Sequence, residues 1–216
     1  MISWQPGEQD RCLALKEELR TMGIHDRRVL AAFGRVPRHL FCLPEHRPLA
    51  YQNQVLPLAE GATLSEPFVV AAMLQALRLQ GGERVLDVGS GSGFTTALLC
   101  ELAGAVYAME RLPELLQSSR ERIHQLGYQN VRFRCGDGWQ GWLEHFPYNA
   151  ILVSAAAPSI PPAFLDQMAP GGRLIMPVGG QQQWLRLFQA AEDGASLAPQ
   201  DLFAVRFVPL IREAGS

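Results

Sequence analysis

The sequence lacks the features that mark several classes of protein. No run approaches the roughly 18 consecutive apolar residues that a membrane-spanning helix needs, and the first residues show no basic stretch followed by an apolar one, so we expect neither a membrane span nor a secretion signal. The 19 Lys and Arg residues against 21 Asp and Glu residues give a formal net charge of -2. That balance argues against a broad surface for nucleic acid. We therefore expect a cytoplasmic protein without a nucleic-acid partner.

Cysteine is scarce and scattered. The four cysteines are Cys12, Cys42, Cys100 and Cys135, and no two of them form a C-x-x-C pair. This distribution argues against a disulfide framework and against a zinc site. The histidines also show no ligand spacing, so we expect surface or structural roles for them and no bound metal.

The 216 residues are enough for one medium domain with an appended segment. Residues 8–33 predict two helices broken near Gly23, with Asp26 capping the second. Residues 34–64 are irregular, because prolines recur from Pro37 to Pro57, and a third helix follows with Ser65 placed as its N-cap. We predict that residues 1–80 form a helical and irregular substrate cap on a core of residues 81–216, within one structural unit.

From residue 81 onward, strand and helix patterns alternate. Strands are predicted at 84–89, 105–110, 131–138, 148–156 and 173–180, helices at 94–103, 112–127 and 161–172, and a final hairpin from "QQWLRLFQAA" and "QDLFAVRFVPLI". Such alternation is typical of an α/β fold with helices on both faces of the sheet. We predict a doubly wound, mostly parallel, seven-stranded Rossmann-like sheet.

The stretch "ERVLDVGSGSGF" (83–94) carries glycines at Gly89, Gly91 and Gly93. A dinucleotide-binding loop has the pattern G-x-G-x-x-G, whose third glycine would fall at position 94, where this chain has Phe94. The G-x-G-x-G spacing weakens the dinucleotide hypothesis without excluding it.

Three acids accompany this loop. Glu110 ends the second strand roughly 20 residues after the first glycine, where an acid binds ribose hydroxyls, unless it is only a solvated strand end. Asp137 suits an exocyclic amine such as that of adenine, or an ordinary Asp-Gly turn. Asp87 interrupts an apolar strand, where a carboxylate needs a partner, either a cationic ligand group or its own loop.

Together these features resemble the S-adenosylmethionine-dependent methyltransferase fold, which has an acid before G-x-G-x-G and another after the second strand. The resemblance implies S-adenosylmethionine as cofactor, S-adenosylhomocysteine as product and no metal. It also implies a set of cofactor-binding residues: Asp87, Gly89, Ser90, Gly91, Gly93, Glu110, Asp137 and Gly138.

The residues after the fourth strand narrow the choice of methyl acceptor. Methyltransferases of nucleic-acid bases generally have [D/N/S]-P-P-[Y/F/W] there, whereas this chain has "VSAAAPS" (153–159), so base methylation is disfavoured. Because no cluster of acids and histidines is apparent, metal-dependent O-methyltransferases also fit poorly.

The segments "VPRHLF", "AYQNQVLPL", "GATLSEP", "GDGWQGW", "RLIMPVG" and "VRFVPL" resemble protein-L-isoaspartate O-methyltransferases, in consistent order from about Gly23 to Leu210. The resemblance implies methylation of the free α-carboxylate of isoaspartyl residues in damaged proteins. The ester then collapses to a succinimide, which partly hydrolyses to normal aspartate. The family also implies a monomer.

The family motif Thr-Ile-Ser-x-Pro corresponds here to "TLSEP", residues 63–67. By this resemblance Ser65 is the active-site serine, which orients the acceptor, and Tyr51 and Asn53 lie near the acceptor. The adjoining residues close over the cofactor: Ala62, Thr63 and Leu64. Because the acceptor carboxylate is ionised at neutral pH, no general base is needed.

Two positions depart from the family pattern. Glu66 places an acid beside Ser65, where it would repel a carboxylate substrate if it pointed inward, and Asn149 replaces an aspartate common before the fourth strand. These departures leave open a related methyltransferase acting on another peptide or small-molecule carboxylate. A third hypothesis is a cofactor-binding protein without catalysis, and the presence of Ser65, Asp87, Glu110 and Asp137 counts against it.

Overall fold

The computed structural model describes Trp4 and residues 6–191 and 197–212. Part of the N-terminal stretch that bears on a secretion signal lies outside these residues. The helices are α1 (Glu8–Thr21), α2 (Arg27–Arg35), α3 (Pro67–Leu77), α4 (Phe94–Leu102), α5 (Pro113–Gln125) and α6 (Pro162–Asp166). The strands are β1 (Leu56–Pro57), β2 (Thr63–Leu64), β3 (Arg84–Val88), β4 (Ala105–Glu110), β5 (Val131–Cys135), β6 (Tyr148–Val153), β7 (Met168–Gly179), β8 (Gln183–Ala190) and β9 (Leu197–Val205).

Seven of the strands form one sheet in the order β5-β4-β3-β6-β7-β8-β9. The strands from β5 to β7 are parallel, while β8 and β9 add an antiparallel hairpin at one edge. The predicted doubly wound α/β fold is confirmed. The strand order reverses between β3 and β6, and in such sheets ligands bind at the carboxyl ends of the strands beside this switch point.

The N-terminal helices pack onto the sheet domain. The break at Gly23 (φ 104°) and the cap at Asp26, whose side chain accepts from the backbone N–H groups of Arg28 and Val29, are confirmed. Phe33 of α2 lies edge-on to Phe94 of α4, with ring centroids 5.7 Å apart. One apolar cluster includes buried residues from both sides of residue 80. The boundary at residues 80 and 81 stays a prediction.

The helix predicted over 161–172 is wrong in its second half. Helix α6 ends at Asp166, and β7 already begins at Met168. Met168 pairs with Tyr148, and the register shifts before Ala150 pairs with Arg173. Pro-Gly-Gly (170–172) forms this irregularity within the strand, where glycines are typical of bulges, rather than stopping a helix.

In the part of the chain that the structure describes, no helix combines the length and apolar character of a membrane span.

Candidate active site

The loop after β3 lies at the switch point of the sheet. The backbone N–H groups of Gly89 and Ser90 both donate to the carbonyl of Met109, at 2.9 and 3.0 Å, which fastens the loop across the end of β4. Gly89, Gly91 and Gly93 have φ of 78°, 53° and 92°, in the left-handed region that favours glycine. The loop thus turns tightly and presents backbone rather than side chains.

A cavity of about 230 Å³ opens above this loop, and we name it the glycine-loop cavity. It brings together residues that are far apart in the sequence. The predicted site residues that line it are Ala62, Thr63, Leu64, Ser65, Gly89, Ser90, Gly91, Glu110 and Gly138. Five predicted residues are not part of its lining: Tyr51, Asn53, Asp87, Gly93 and Asp137.

Glu110 is not a solvated strand end. It is only 8% exposed, and its Oε2 accepts from the backbone N–H of Gly91 at 2.9 Å. Oε1 accepts from the backbone N–H groups of Arg111 and Leu112 at 2.9 and 3.1 Å. A carboxylate offers about four acceptor positions, so this fixed group still has acceptor capacity for a diol in the cavity.

Asp87 lies fully buried in β3, directly below the loop. Its Oδ2 accepts from the hydroxyl of Thr96 at 2.6 Å, while Oδ1 has no hydrogen-bond partner among the described residues. Burial raises the pKa of Asp87 to about 7, against the lowering effect of the Thr96 hydrogen bond. The hydroxyl of Ser90, a residue that lines the cavity, is another buried polar atom without a partner among those residues. Such orphaned acceptors fit a cationic ligand group, because a buried polar atom is normally hydrogen-bonded.

Gly93 and Asp137 do not line the glycine-loop cavity but are adjacent in sequence to residues that do, Phe94 and Gly138. A Cβ at Gly93 would lie 2.8 Å from Oγ of Ser119, so this glycine permits α5 to pack against the loop. Asp137 is buried, and its Oδ1 accepts from the backbone N–H of Trp139 at 2.9 Å, as an Asp-Gly turn requires. A Cβ at Gly138 would lie 2.7 Å from Cγ1 of Val88. These residues set the shape of the wall.

A second cavity, of about 930 Å³, lies between the start of α3 and the edge strand β9. We name it the strand-edge cavity. Its walls are mostly apolar, with Val55, Phe68, Phe203 and Phe207 among them, and Glu66 and Arg206 supply its charged groups. Thr63, Ser65 and Val208 line both cavities. Ser65 therefore lies where the two cavities meet.

The prediction that Ser65 caps α3 is wrong. The helix begins at Pro67, Glu66 occupies the N-cap position, and neither residue supplies a side-chain cap. The backbone N–H of Phe68 instead donates to Oδ1 of Asn53 at 2.8 Å. Because the cap comes from another segment, the Ser65 hydroxyl is not used at the helix end.

Tyr51 and Asn53 do not face the glycine-loop cavity. Tyr51 is buried, and its hydroxyl lies 2.6 Å from Nδ1 of His39, whose Nε2 lies 3.2 Å from Oε2 of Glu8. Asn53 bonds to the first turn of α3. The structure thus places Asn53 in the framework around the start of α3, and the contact of Tyr51 and Asn53 with the acceptor stays a prediction.

Arg38 is a framework residue that sequence patterns did not reveal. It is 1% exposed, and its guanidinium donates to the carbonyls of Ala50, Ser65 and Gln54 at 2.8, 3.0 and 3.2 Å. Burial lowers its pKa to about 10, so it is charged at neutral pH. The sequence offers one indication that this arginine is buried, namely its position among the apolar residues of "VPRHLF". Its partners could not be predicted, because they are carbonyl groups of a segment without regular secondary structure.

Asn149, the second departure from the family pattern, lies at the opposite end of β6. Its Oδ1 accepts from the backbone N–H of Arg84 at 2.9 Å, which ties the starts of β3 and β6 together. Among the described residues, no group of three or more His, Cys, Asp or Glu side chains could hold a metal ion.

Comparison with known proteins decides the family. The family model described as protein-L-isoaspartate(D-aspartate) O-methyltransferase matches residues 10–215. The chain belongs to this family. A protein-L-isoaspartate O-methyltransferase of Gloeobacter violaceus is 44% identical over 197 residues, covering 91% of this chain and 96% of the relative. One from Aeropyrum pernix is 47% identical over 209 residues, covering 94% and 80%.

Solved structures agree with the family assignment. A protein-L-isoaspartate O-methyltransferase superposes with a TM-score of 0.83 at 27% identity, covering 95% of this chain and 66% of the other. A Plasmodium falciparum protein described as a putative member, in complex with S-adenosyl-L-homocysteine, gives 0.81 at 27% identity, covering 93% and 98%. The resemblance predicted from the sequence is confirmed, and with it the class of enzyme: an S-adenosylmethionine-dependent carboxyl O-methyltransferase.

Proposed function

We propose that this chain methylates the free α-carboxylate of isoaspartyl residues in damaged proteins, with S-adenosylmethionine in the glycine-loop cavity and the substrate peptide in the strand-edge cavity. The observation that carries this proposal is the position of Ser65, which lines both cavities. A group transferred between ligands of the two cavities has to pass this point.

The cofactor fits the residues of the glycine-loop cavity. Glu110 would accept hydrogen bonds from the ribose diol, Ser90 would border the cationic methionine portion, and the carboxylate of Asp87, buried below the loop, would attract that positive charge. Gly138 would border the adenine end, with Asp137 next to it, while Gly89 and Gly91 present backbone. Three residues cover the cavity from the irregular segment: Ala62, Thr63 and Leu64. When bound, S-adenosylmethionine supplies a methyl group that passes to a carboxylate oxygen as its carbon–sulfur bond breaks, the electron pair remaining on sulfur.

The chain's own contribution to catalysis is positioning. The acceptor carboxylate is already ionised, because an ordinary carboxyl pKa lies near 4, so no protein base has to remove a proton. The Ser65 hydroxyl donates a hydrogen bond to one carboxylate oxygen and leaves the other free to attack. Apolar walls from Val55, Phe68 and Phe203 exclude water and fix the peptide, which favours transfer through proximity and orientation.

Two further properties stay predictions from the sequence: the monomeric state, and a cytoplasmic location without a nucleic-acid partner. Light scattering of the purified chain checks the first, and fractionation of the cells that make it checks the second.

The deciding experiment offers labelled S-adenosylmethionine with two matched peptides, one carrying isoaspartate and the other aspartate at the same position. We expect base-labile label on the isoaspartyl peptide only. Equal labelling of both peptides would favour the alternative of a broader carboxyl methyltransferase. Label on neither peptide, with cofactor binding intact, would overturn the proposal.

Ser65→Ala tests the role of the hydroxyl. We expect kcat to fall about 10- to 100-fold, since one hydrogen bond to a charged group contributes about 1.5–3 kcal/mol. The affinity for S-adenosylhomocysteine, measured by calorimetry, should change less than about twofold. Ser159→Ala, at an exposed serine, is the matched control. An unchanged kcat in Ser65→Ala would remove the serine from the mechanism.

A further inference from the structure

Glu66 poses a problem for a carboxyl methyltransferase. It follows Ser65 directly and lines the strand-edge cavity, in which the proposed function places a substrate with a free carboxylate. Two nearby carboxylates repel each other, and each disfavours ionisation of the other. The acceptor site therefore needs a group that holds the Glu66 carboxylate in place.

Asn53 is that group. Its Nδ2 donates to Oε1 of Glu66 at 2.9 Å, and a second Nδ2 contact reaches Sδ of Met22 at 3.7 Å. Its Oδ1 accepts from the backbone N–H of Phe68 at 2.8 Å. The Asn53 amide thus donates a hydrogen bond to Glu66 and accepts one from the first turn of α3. No other side chain of this size offers a donor and an acceptor in this arrangement.

We propose that Asn53 is a positioning residue for the acceptor serine, and that it works as a matched amide–carboxylate pair with Glu66. The pair holds the Glu66 carboxylate at the amide and fixes the start of α3 immediately after Ser65. This inference rests on the proposed function, because it concerns where the acceptor carboxylate is received. It assigns Asn53 to the support of Ser65 rather than to contact with the peptide.

The other charges around the pair are cationic. Arg38 donates to the carbonyls of Ser65 and Gln54, each adjacent in sequence to one member of the pair, and it interacts electrostatically with Glu66. Arg206 lines the same cavity as Glu66. Because burial lowers the pKa of Arg38 only to about 10, a pH dependence introduced at position 53 between about pH 5 and 8 reports the carboxylates.

Asn53→Asp is the sharpest single test. Aspartate still accepts from the Phe68 N–H but cannot donate to Glu66, so two carboxylates face each other at hydrogen-bond distance. At about pH 8 we expect kcat/KM for the isoaspartyl peptide to fall at least about tenfold, largely through KM, with the affinity for S-adenosylhomocysteine within about twofold of wild type. Below about pH 6 the pair shares one proton, so activity relative to wild type at the same pH should recover.

The second change distinguishes a specific pair from a merely destabilised segment. In Asn53→Asp/Glu66→Gln the donor and acceptor are exchanged, since the amide introduced at position 66 can donate to the carboxylate introduced at position 53. We expect the double variant to regain at least about half of the activity that Asn53→Asp loses, on a logarithmic scale. Glu66→Gln alone keeps an acceptor for Asn53 and should lower kcat/KM by only about two- to fivefold.

Gln52→Glu is the control for added charge. Gln52 is exposed, and its Oε1 accepts from Nε2 of Gln54, which a glutamate can also do, so kcat/KM should stay within about twofold. If Asn53→Asp matched wild type at pH 8, or if the double variant were no more active than Asn53→Asp, the inference would be overturned. Failure of the wild-type enzyme on the isoaspartyl peptide would instead overturn the proposed function, so the two failures are distinguishable in one assay.

Discussion

The two sides of the active site are held together in different ways. The glycine-loop cavity rests on the ends of parallel strands, and its main acid, Glu110, is fixed by three backbone N–H groups. The strand-edge cavity borders the irregular segment 36–66, in which the strands β1 and β2 have two residues each. There the backbone is held by side chains, chiefly Arg38 and Asn53.

This difference shows where single residues matter most. In a regular sheet many ladder hydrogen bonds share the task of placing a loop, so the loss of one side chain leaves the frame intact. The irregular segment has only the two-residue pairing of β1 with β2 as a ladder, and its other buried carbonyl groups still need donors. A single framework side chain beside the strand-edge cavity therefore fixes more of the local backbone than a single side chain beside the glycine-loop cavity does.

Replacing Arg38 with Met should give the largest effect. The change removes the donors to the carbonyls of Ala50, Gln54 and Ser65, and we expect the free energy of unfolding to fall by about 2–3 kcal/mol together with loss of methyl transfer. Denaturant titration measures the free energy of unfolding, and the isoaspartyl-peptide assay measures methyl transfer. Arg35→Met is the control, because Arg35 is largely exposed and forms an ion pair with Glu101, a contact that contributes at most about 1 kcal/mol. Equal losses in both variants would contradict the comparison.

Glu110→Gln tests the cofactor side. We expect the affinity for S-adenosylhomocysteine to fall about tenfold, which corresponds to about 1.4 kcal/mol. The amide is a weaker acceptor for the ribose diol, and its NH2 group cannot accept from the backbone N–H groups that hold Glu110. The fold should persist, since the β3–β4 ladder is untouched. Calorimetric titration measures the affinity, with Glu114→Gln, at an exposed position in α5, as the control. A variant that unfolds rather than binding weakly would show that the cofactor side also depends on single residues.

The pH dependence of cofactor binding is the smallest expected effect. Because burial raises the pKa of Asp87 to about 7, this carboxyl group is protonated below that pH in the free protein, and the cationic cofactor binds the ionised form better. Affinity for S-adenosylmethionine should therefore rise with pH through about 7 and level off above it, by about two- to fivefold in total. Titrations between about pH 5.5 and 8.5 measure it. Asp87→Asn should bind the cofactor more weakly at pH 8 and lose this dependence. A flat wild-type profile would exclude a role of the Asp87 carboxylate in attracting the cationic cofactor.

The two sides were also unequally predictable from the sequence, for the same physical reason. Strand and helix periodicity identified β3 to β6 and the glycine loop, because local pattern and sheet geometry agree there. Motif position singled out Ser65, which the structure places where the two cavities meet. It did not reveal Arg38 or the hydrogen bonds of Asn53 to Glu66 and Phe68. The partners of Arg38 are carbonyl groups of an irregular segment, which have no period, and the partners of Asn53 are 13 and 15 residues away in the sequence. The helix predicted across 161–172 failed for a related reason, since glycines within a bulged strand resemble a helix stop.

The segment that follows β9 has a consequence for how the enzyme is made. Val208 and Leu210 hydrogen-bond to the backbone of Ala156, the carbonyl of Leu210 accepts from Nε1 of Trp139, and residues 208–211 line the glycine-loop cavity. A growing chain therefore contains the whole glycine loop long before the cavity has its last wall. The cavity gains this wall only after the segment has left the ribosome and docked, so we expect a nascent chain to hold the cofactor more tightly once residues 208–211 have been added.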